Sequence, residues 1–328
     1  MEIPHSIIAV DLGGTKILVG EVTPTGEVLQ TKSYPSDTTN QHTALQGIIH
    51  AINDFQTGSA LIAREQIAIG IGVVGRVDTR NGIWHEIQPD KKESINVNEQ
   101  LRPIFQLPCG VDNDVACATH AEQTFGWGQQ SKNFIYFNIG TGIAAGTVVD
   151  GHYVEGSHFN AGEVGHMVVA MDSDVRCGCG RKGCVERIAS GLGMHERVAA
   201  LLPEYPSTVL ELVEGRRIAA QTIFEAAEQA DPLASRIVDD AAHAAAAAIM
   251  NLVRVSDPDT IVLGGGVARN PYFFERIKQA LNPSTMRFVT NGLVYTKVKS
   301  EETGLVGAAL AGLAASQSRS GEGLGNAE

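Results

Sequence analysis

Positions Ile7 to Val10 are apolar without interruption, the run ends in Asp11-Leu12-Gly13-Gly14, and further β-rich runs start at Lys16 and after Thr25-Gly26. Unbroken apolar positions predict a strand buried on both faces, and the turns between the runs predict a hairpin meander rather than a strand–helix–strand opening. A helical period follows from about Thr43 to Thr57, then a strand over 67–78 that ends in another glycine-rich turn. Residues 79–110 read as loops with one short helix from about Asn98 to Phe105.

The pattern then restarts. Asp112-Asn113-Asp114 heads a helix to about Phe125, and NFIYFNIGTGIAAGTVVDGHYV over 133–154 is again an apolar strand, a glycine turn and a return strand. Asp11 to Thr15 and Asn138 to Gly142 both set glycine and threonine between two strands, which predicts two structurally repeated halves. Beyond the cysteine-rich stretch the chain reads as helical through 190–255, with an alanine-rich helix from about Ser235 to Val255. A strand running into Gly264-Gly265-Gly266, a last strand near 293–298 and a helix from Gly304 to Ala315 complete the pattern.

A chain of 328 residues with 43% hydrophobic positions is long enough for two domains or one two-lobed α/β unit. The formal net charge of −12 argues against attachment to nucleic acid or to an anionic membrane, because neutralising phosphate requires basic surface. The opening MEIPHSIIAVDLGG lacks a basic segment followed by a long apolar run, and apolar stretches such as LVGAALAGLAA at 305–315 are too short to span a bilayer, so a cytoplasmic location is expected.

Three of the five cysteines crowd into CGCGRKGCVE, residues 177–186. Cys177, Cys179 and Cys184 are too close together for an obvious set of disulfides, which leaves metal binding or buried thiols. The strand–glycine–strand loops carry a second chemistry: backbone N–H groups without a Cβ in the way can face an anion, and a threonine hydroxyl adds a donor. Either loop alone is a common structural turn, and Gly264-Gly265-Gly266 suits close backbone approach as well as an adenosine site. The three together point to a polyphosphate.

Taken in order, DLGGTK at 11–16, DNDVACATHAE at 112–122, NIGTG at 138–142, GEVGH at 162–166, CGCGRKGCVE at 177–186 and VLGGG at 262–266 resemble the ROK family, which groups bacterial sugar kinases with sugar-responsive repressors among the actin-like ATPase-fold kinases. The likeness runs over residues 7–310. It implies an α/β fold of the two-lobed actin-like ATPase (ribonuclease H-like) type, with a zinc-stabilised loop in the larger lobe. The lobes are expected at 1–111, completed by a helix over about 302–318, and at 112–301.

The resemblance also implies roles. ATP with Mg²⁺ would be held by Asp11, Gly13, Gly14, Thr15 and Lys16, by Gly140, Thr141 and Gly142, and by Gly264, Gly265 and Gly266. Asp11 would hold Mg²⁺ directly or through water, and Thr15 and Thr141 would touch phosphates. Gly75, Asn113, Asp114, Glu163, His166 and Glu186 would bind a hexose or N-acetylhexosamine. Asp114 would act as general base, although helix capping by Asp114 or Asp112 is the plain structural alternative. Cys177, Cys179, Cys184 and His166 would form a Cys₃His set suited to a closed structural Zn²⁺ site, with the second ring nitrogen of His166 left as a donor to the sugar.

The reading is an ATP-dependent glucokinase-like enzyme acting at the 6-hydroxyl, with an N-acetylmannosamine or N-acetylglucosamine kinase as the alternative and a homodimer or tetramer as the assembly. Repressors of the family carry a helix-turn-helix ahead of the kinase-like body. A first strand from about Ser6 and the acidic balance favour the kinase branch. Two departures stand out: this chain reads Gly72-Val73-Val74-Gly75 where these kinases often carry a proline–glycine turn, which bears on hexose identity, and Ala144 where they carry a second glycine after the GTG loop.

Overall fold

The computed structural model describes residues 3–88, 93–299 and 301–322, with 318–322 described by their backbone alone. The described residues form two compact units, those of 3–126 with 155–160 and 301–322, and those of 127–154 with 161–299.

In the first unit the elements are β1 (His5–Leu12), β2 (Lys16–Val22), β3 (Val28–Pro35), α1 (Gln41–Gly58), β4 (Glu65–Val73), β5 (Arg76–Asp78), β6 (Ile83–Glu86), β7 (Ile95–Asn96), α2 (Val97–Phe105), β8 (Cys109–Asn113) and α3 (Asp114–Phe125). The main sheet has the order β3-β2-β1-β4-β8, with β1 antiparallel to β2 and parallel to β4. The uninterrupted apolar run of β1 has its physical reason here: β1 is the central strand, and Ile7, Ile8, Ala9 and Val10 are all fully buried. Helix α1 begins where Asn40 Oδ1 accepts the Thr43 N–H at 2.8 Å, and it buries Leu45, Ile48, Ile52 and Phe55 on one face.

The second unit contains β9 (Phe134–Ile139), β10 (Ile143–Val149), β11 (His152–Tyr153), α4 (Glu186–Ala189), α5 (Gly191–Leu201), α6 (Ala220–Glu228), α7 (Pro232–Ser256), β12 (Thr260–Gly264), α8 (Pro271–Ala280), α9 (Pro283–Met286) and β13 (Gly292–Tyr295). Its sheet order is β11-β10-β9-β12-β13, antiparallel on one side of β9 and parallel on the other. This repeats the order and strand senses of the first sheet, so the two halves expected from the glycine–threonine loops share one topology. Asp231 caps α7 by accepting the Ala234 N–H at 2.9 Å, Pro232 occupies the first turn, and Asp257 closes the helix in the left-handed conformation at φ 46°.

The last helix, α10 (Thr303–Glu322), returns to the first unit and packs on β4, β8 and α3. Contact this close requires glycine in the strands: a Cβ on Gly70 would lie 1.8 Å from the Ala308 carbonyl oxygen. Because α3 packs on α10, it falls in the first unit, and the division comes after Gly126 rather than at 111/112. Three other local expectations change. The stretch 190–255 is not continuously helical, since 205–219 contains no helix; the last strand ends at Tyr295; and 79–110 holds short strands besides its helix.

Candidate active site and metal centre

Strand register lines up the first group of candidate residues. Asp11 pairs with Gly72 between β1 and β4, and Gly72 pairs with Asp112 between β4 and β8. The turns that follow these strands therefore leave from one end of the sheet, the end where ligands gather in open α/β folds.

Asp11 sits half-buried at that end, next to the start of α10. A Cβ on Gly304 would approach its Oδ2 to 2.7 Å, so glycine is what admits the carboxylate there. Burial pushes the Asp11 carboxyl up to about 6, against the opposing pull of Lys16. The turn from Gly13 to Lys16 is closed by the Gly13 N–H donating to the Lys16 carbonyl at 2.9 Å, and Gly14, Thr15 and Lys16 are exposed.

Asn113 is the N-cap of α3, because its Oδ1 accepts from the N–H groups of Val115 and Ala116 at 2.9 and 3.1 Å. Its Nδ2 donates to the Gly75 carbonyl at 2.9 Å. Gly75 has φ +93°, and a Cβ there would lie 2.1 Å from the Glu86 carbonyl oxygen, so this turn admits only glycine. Capping thus belongs to Asn113, and neither Asp112 nor Asp114 is needed for it. Asp112 is buried, accepts from Thr79 Oγ1 at 2.8 Å and faces His120 Nε2 at 3.6 Å; burial pushes its carboxyl up. Asp114 is half-buried in the first turn of α3, and its Oδ1 accepts the Val115 N–H at 3.0 Å.

In the second unit β9 and β12 pair Asn138 with Gly264, which sets the Gly140–Gly142 loop beside the Gly264–Gly266 turn. The carbonyls of Gly140 and Thr141 accept from the Gly191 and Leu192 N–H groups that open α5. The candidate glycines separate by what surrounds them. A Cβ would meet the Tyr136 hydroxyl at 2.0 Å from Gly264, the Ile139 carbonyl oxygen at 2.4 Å from Gly265, and Glu186 Oε2 at 2.6 Å from Gly142. Gly14 and Gly266 face open space. Packing therefore accounts for three of these glycines, while Gly14 and Gly266 are available for close approach by a ligand.

Glu186, the first residue of α4, is half-buried and accepts the Ile143 N–H at 2.9 Å. A Cβ on Gly165 would also crowd it, at 3.1 Å from Oε2. One carboxylate thus braces the NIGTG loop, the GEVGH segment and the end of the cysteine loop.

That loop folds back on itself through pairing of Val168 with Cys184 and of Arg176 with Lys182. Gly183 has φ +73°, and a Cβ there would strike the Ala170 carbonyl oxygen at 2.0 Å. The result brings one ligand atom each from His166, Cys177, Cys179 and Cys184 to within 4.8 Å of one another. Cys177 Sγ lies 3.4 Å from His166 Nδ1, and Cys179 Sγ lies 3.6 Å from Cys184 Sγ. A tetrahedron with metal–sulfur bonds of about 2.3 Å has edges of roughly 3.8 Å, so the cluster has the size of a zinc site. Cys179 is exposed, and the Arg181 backbone N–H holds its thiol down to about 6 against slight desolvation, with help from the Arg181 guanidinium. His166 Nε2 points the other way, 3.8 Å from Glu163 Oε2. Nδ1 thus faces the cysteine sulfurs and Nε2 faces Glu163.

In composition of motifs and in topology the chain matches known proteins. The model of the ROK family matches residues 7–314. The glucokinase of Streptomyces coelicolor is 31% identical over 315 residues, covering 92% of this chain and 96% of that one. The crystal structure of a ROK family glucokinase from Streptomyces griseus, in complex with glucose and AMPPNP, superposes with a TM-score of 0.75 at 29% identity, covering 94% of this chain and 99% of that chain. The N-acetylglucosamine repressor of Escherichia coli O157:H7 is 26% identical over 283 residues, which cover 86% of this chain and 69% of the repressor.

Proposed function

The chain belongs to the ROK family, and from that premise we propose that it is a sugar kinase that transfers a phosphoryl group from ATP to a hexose hydroxyl, glucokinase-like at the 6-hydroxyl, with Asp114 as general base. The observation that carries the reading is the division of labour at the head of α3. Asn113 caps the helix and holds the Gly75 turn, which places the half-buried carboxylate of Asp114 in the first turn of α3, at the same end of the sheet as Asp11.

Phosphoryl transfer asks a protein mainly for positioning and charge stabilisation. In this reading Asp114 orients the sugar hydroxyl and takes its proton as the oxygen attacks the γ-phosphorus. Asn113 has one Nδ2 hydrogen left after its bond to Gly75, and that hydrogen is its contribution to the sugar. Glu163, Glu186 and His166 Nε2 supply acceptors and a donor for ring hydroxyls. Asp11 would hold Mg²⁺, which supplies charge neutralisation on the phosphates, and the exposed hydroxyls of Thr15 and Thr141 donate to phosphate oxygens. Gly14 and Gly266 let the nucleotide approach the backbone. His166, Cys177, Cys179 and Cys184 would hold Zn²⁺, which would supply a fixed imidazole tautomer and a tie between His166 and the loop that carries Glu186.

The same reading makes the protein a cytoplasmic homodimer or tetramer whose partners are small molecules. Among the described residues no helix is long and apolar enough to cross a membrane. The test is a coupled ADP-release assay with glucose, mannose, fructose, allose, N-acetylglucosamine and N-acetylmannosamine. Turnover greatest with glucose supports the glucokinase reading, and turnover greatest with an N-acetylated sugar moves the assignment to the hexosamine kinases. ADP release with none of them defeats the kinase reading and favours the repressor branch of the family.

A further inference from the structure

Residues 155–160 belong to the first unit, although the chain on either side, β11 before and Gly162 after, belongs to the second. This strap is held from three directions. Arg76, directly across from Glu86 in the β5–β6 pair, donates through Nε to Glu86 Oε1 at 3.3 Å and through Nη1 to the His158 carbonyl at 3.4 Å. Arg80 donates to Glu155 Oε2 at 2.6 Å, and its guanidinium lies 5.8 Å from the centre of the Phe159 ring. Phe159 itself adopts φ +54°, a conformation that bulky side chains avoid and that persists only where the surroundings impose it.

The strap has neighbours that matter. Arg76 follows Gly75, whose carbonyl is held by Asn113, and the Val74 carbonyl just before accepts from Trp84 Nε1 at 3.0 Å. At its other end the strap runs through Ala161 into Gly162, whose carbonyl accepts the Ala145 N–H at 2.9 Å, and then into Glu163. The Arg76 and Glu86 side chains are 28% and 15% exposed, enclosed enough for geometry to count and open enough to be altered without collapsing a core.

Resting on the sugar-kinase reading, we propose that Arg76 is a positioning residue for the reaction: it clamps the strap to the Gly75 turn, and so steadies the turn whose carbonyl Asn113 holds at the head of α3. Arg76 touches neither sugar nor nucleotide in this account. Its effect is to hold the Gly75 turn and the strap together, which a guanidinium donating to two partners at once does and a lysine, with one compact charge, does less well.

The experiment compares wild type, Arg76→Leu, Arg76→Lys and the double variant Arg76→Leu with Glu86→Leu by steady-state kinetics and by hydrogen–deuterium exchange of the peptide spanning 154–163. The expected result is a sugar KM raised about fivefold or more in both leucine variants, a smaller rise in Arg76→Lys, an unchanged KM for ATP, and faster exchange across the strap. The double variant leaves no orphaned carboxylate, so a purely structural ion pair predicts recovery of wild-type kinetics there. Recovery in the double variant, or unchanged sugar KM with unchanged exchange in all variants, overturns the proposal. A wild-type protein without sugar turnover would instead defeat the kinase reading, and the exchange data would still report on the strap.

Discussion

The Oε2 atom of Glu186 accepts the backbone N–H of Ile143 at 2.9 Å, and the glycine just before, Gly142, leaves the room it occupies. Gly142→Ala would set a methyl 2.6 Å from that oxygen and displace the carboxylate. The expected outcome is a sugar KM raised about tenfold with the ATP KM little changed. Gly14→Ala, where a Cβ meets nothing within 4 Å, should do the reverse, raising the ATP KM at unchanged melting temperature. Steady-state kinetics with each substrate varied in turn, alongside thermal unfolding, checks both.

That pair shows what the sequence could and could not convey. Consecutive apolar residues in β1, the glycine turns and the long alanine face of α7 were legible because periodicity and turn chemistry encode them locally. Helices α8 and α9 were not drawn from the sequence, although Phe273, Phe274 and Ile277 lie on the buried side of α8 and Asn270 and Asn282 cap the two helices. The crowding of Cys177, Cys179 and Cys184 was legible in their spacing, while His166 joined the set only through the family resemblance. The reasons for Gly142, Gly264 and Gly265 were not, because each depends on an atom distant in sequence or on a contact across the sheet: Glu186, Tyr136 and Ile139. Nothing in the sequence pattern marked 155–160 as a strap, since its partners, Arg76 and Arg80, lie about eighty residues upstream.

Glu21 is fully buried, and its carboxylate accepts from Ser6 Oγ, Gln30 Nε2 and the N–H groups of Ile62 and Ala63 at 2.8 to 3.0 Å. Burial pushes its carboxyl up, but these four donors outweigh burial and hold it below its ordinary value of 4.5. The folded state therefore releases this proton more readily than the unfolded chain. The stabilisation is complete above the unfolded pKa of about 4.5 and is lost as pH falls through the folded value. Glu21→Gln should cost about 2 kcal/mol at pH 7, and the gap from wild type should narrow as unfolding is measured at successively lower pH. A gap that stays constant down to pH 3 would contradict this account of Glu21.

Cys179→Ser puts a poorer ligand in nearly the same place. Bound zinc should fall well below one per chain by elemental analysis, and because metal binding and local folding are coupled, the 166–186 stretch should exchange amide hydrogens faster. His166 and Glu186 share that stretch, so the sugar KM should rise much more than the ATP KM. Wild-type protein purified without chelator and containing no zinc would contradict the assignment of the cluster.

The measurement that bears most directly on the whole account is the turnover of Asp114→Asn with the best sugar of the panel. Asparagine keeps the shape of the side chain while removing the proton acceptor, and Asn113 still caps α3 in the variant. The account predicts a kcat lower by about 10²–10⁴, with sugar affinity by calorimetry within about threefold of wild type. A variant that turns over at near the wild-type rate would contradict the assignment of Asp114 as the base and require another carboxylate in its place.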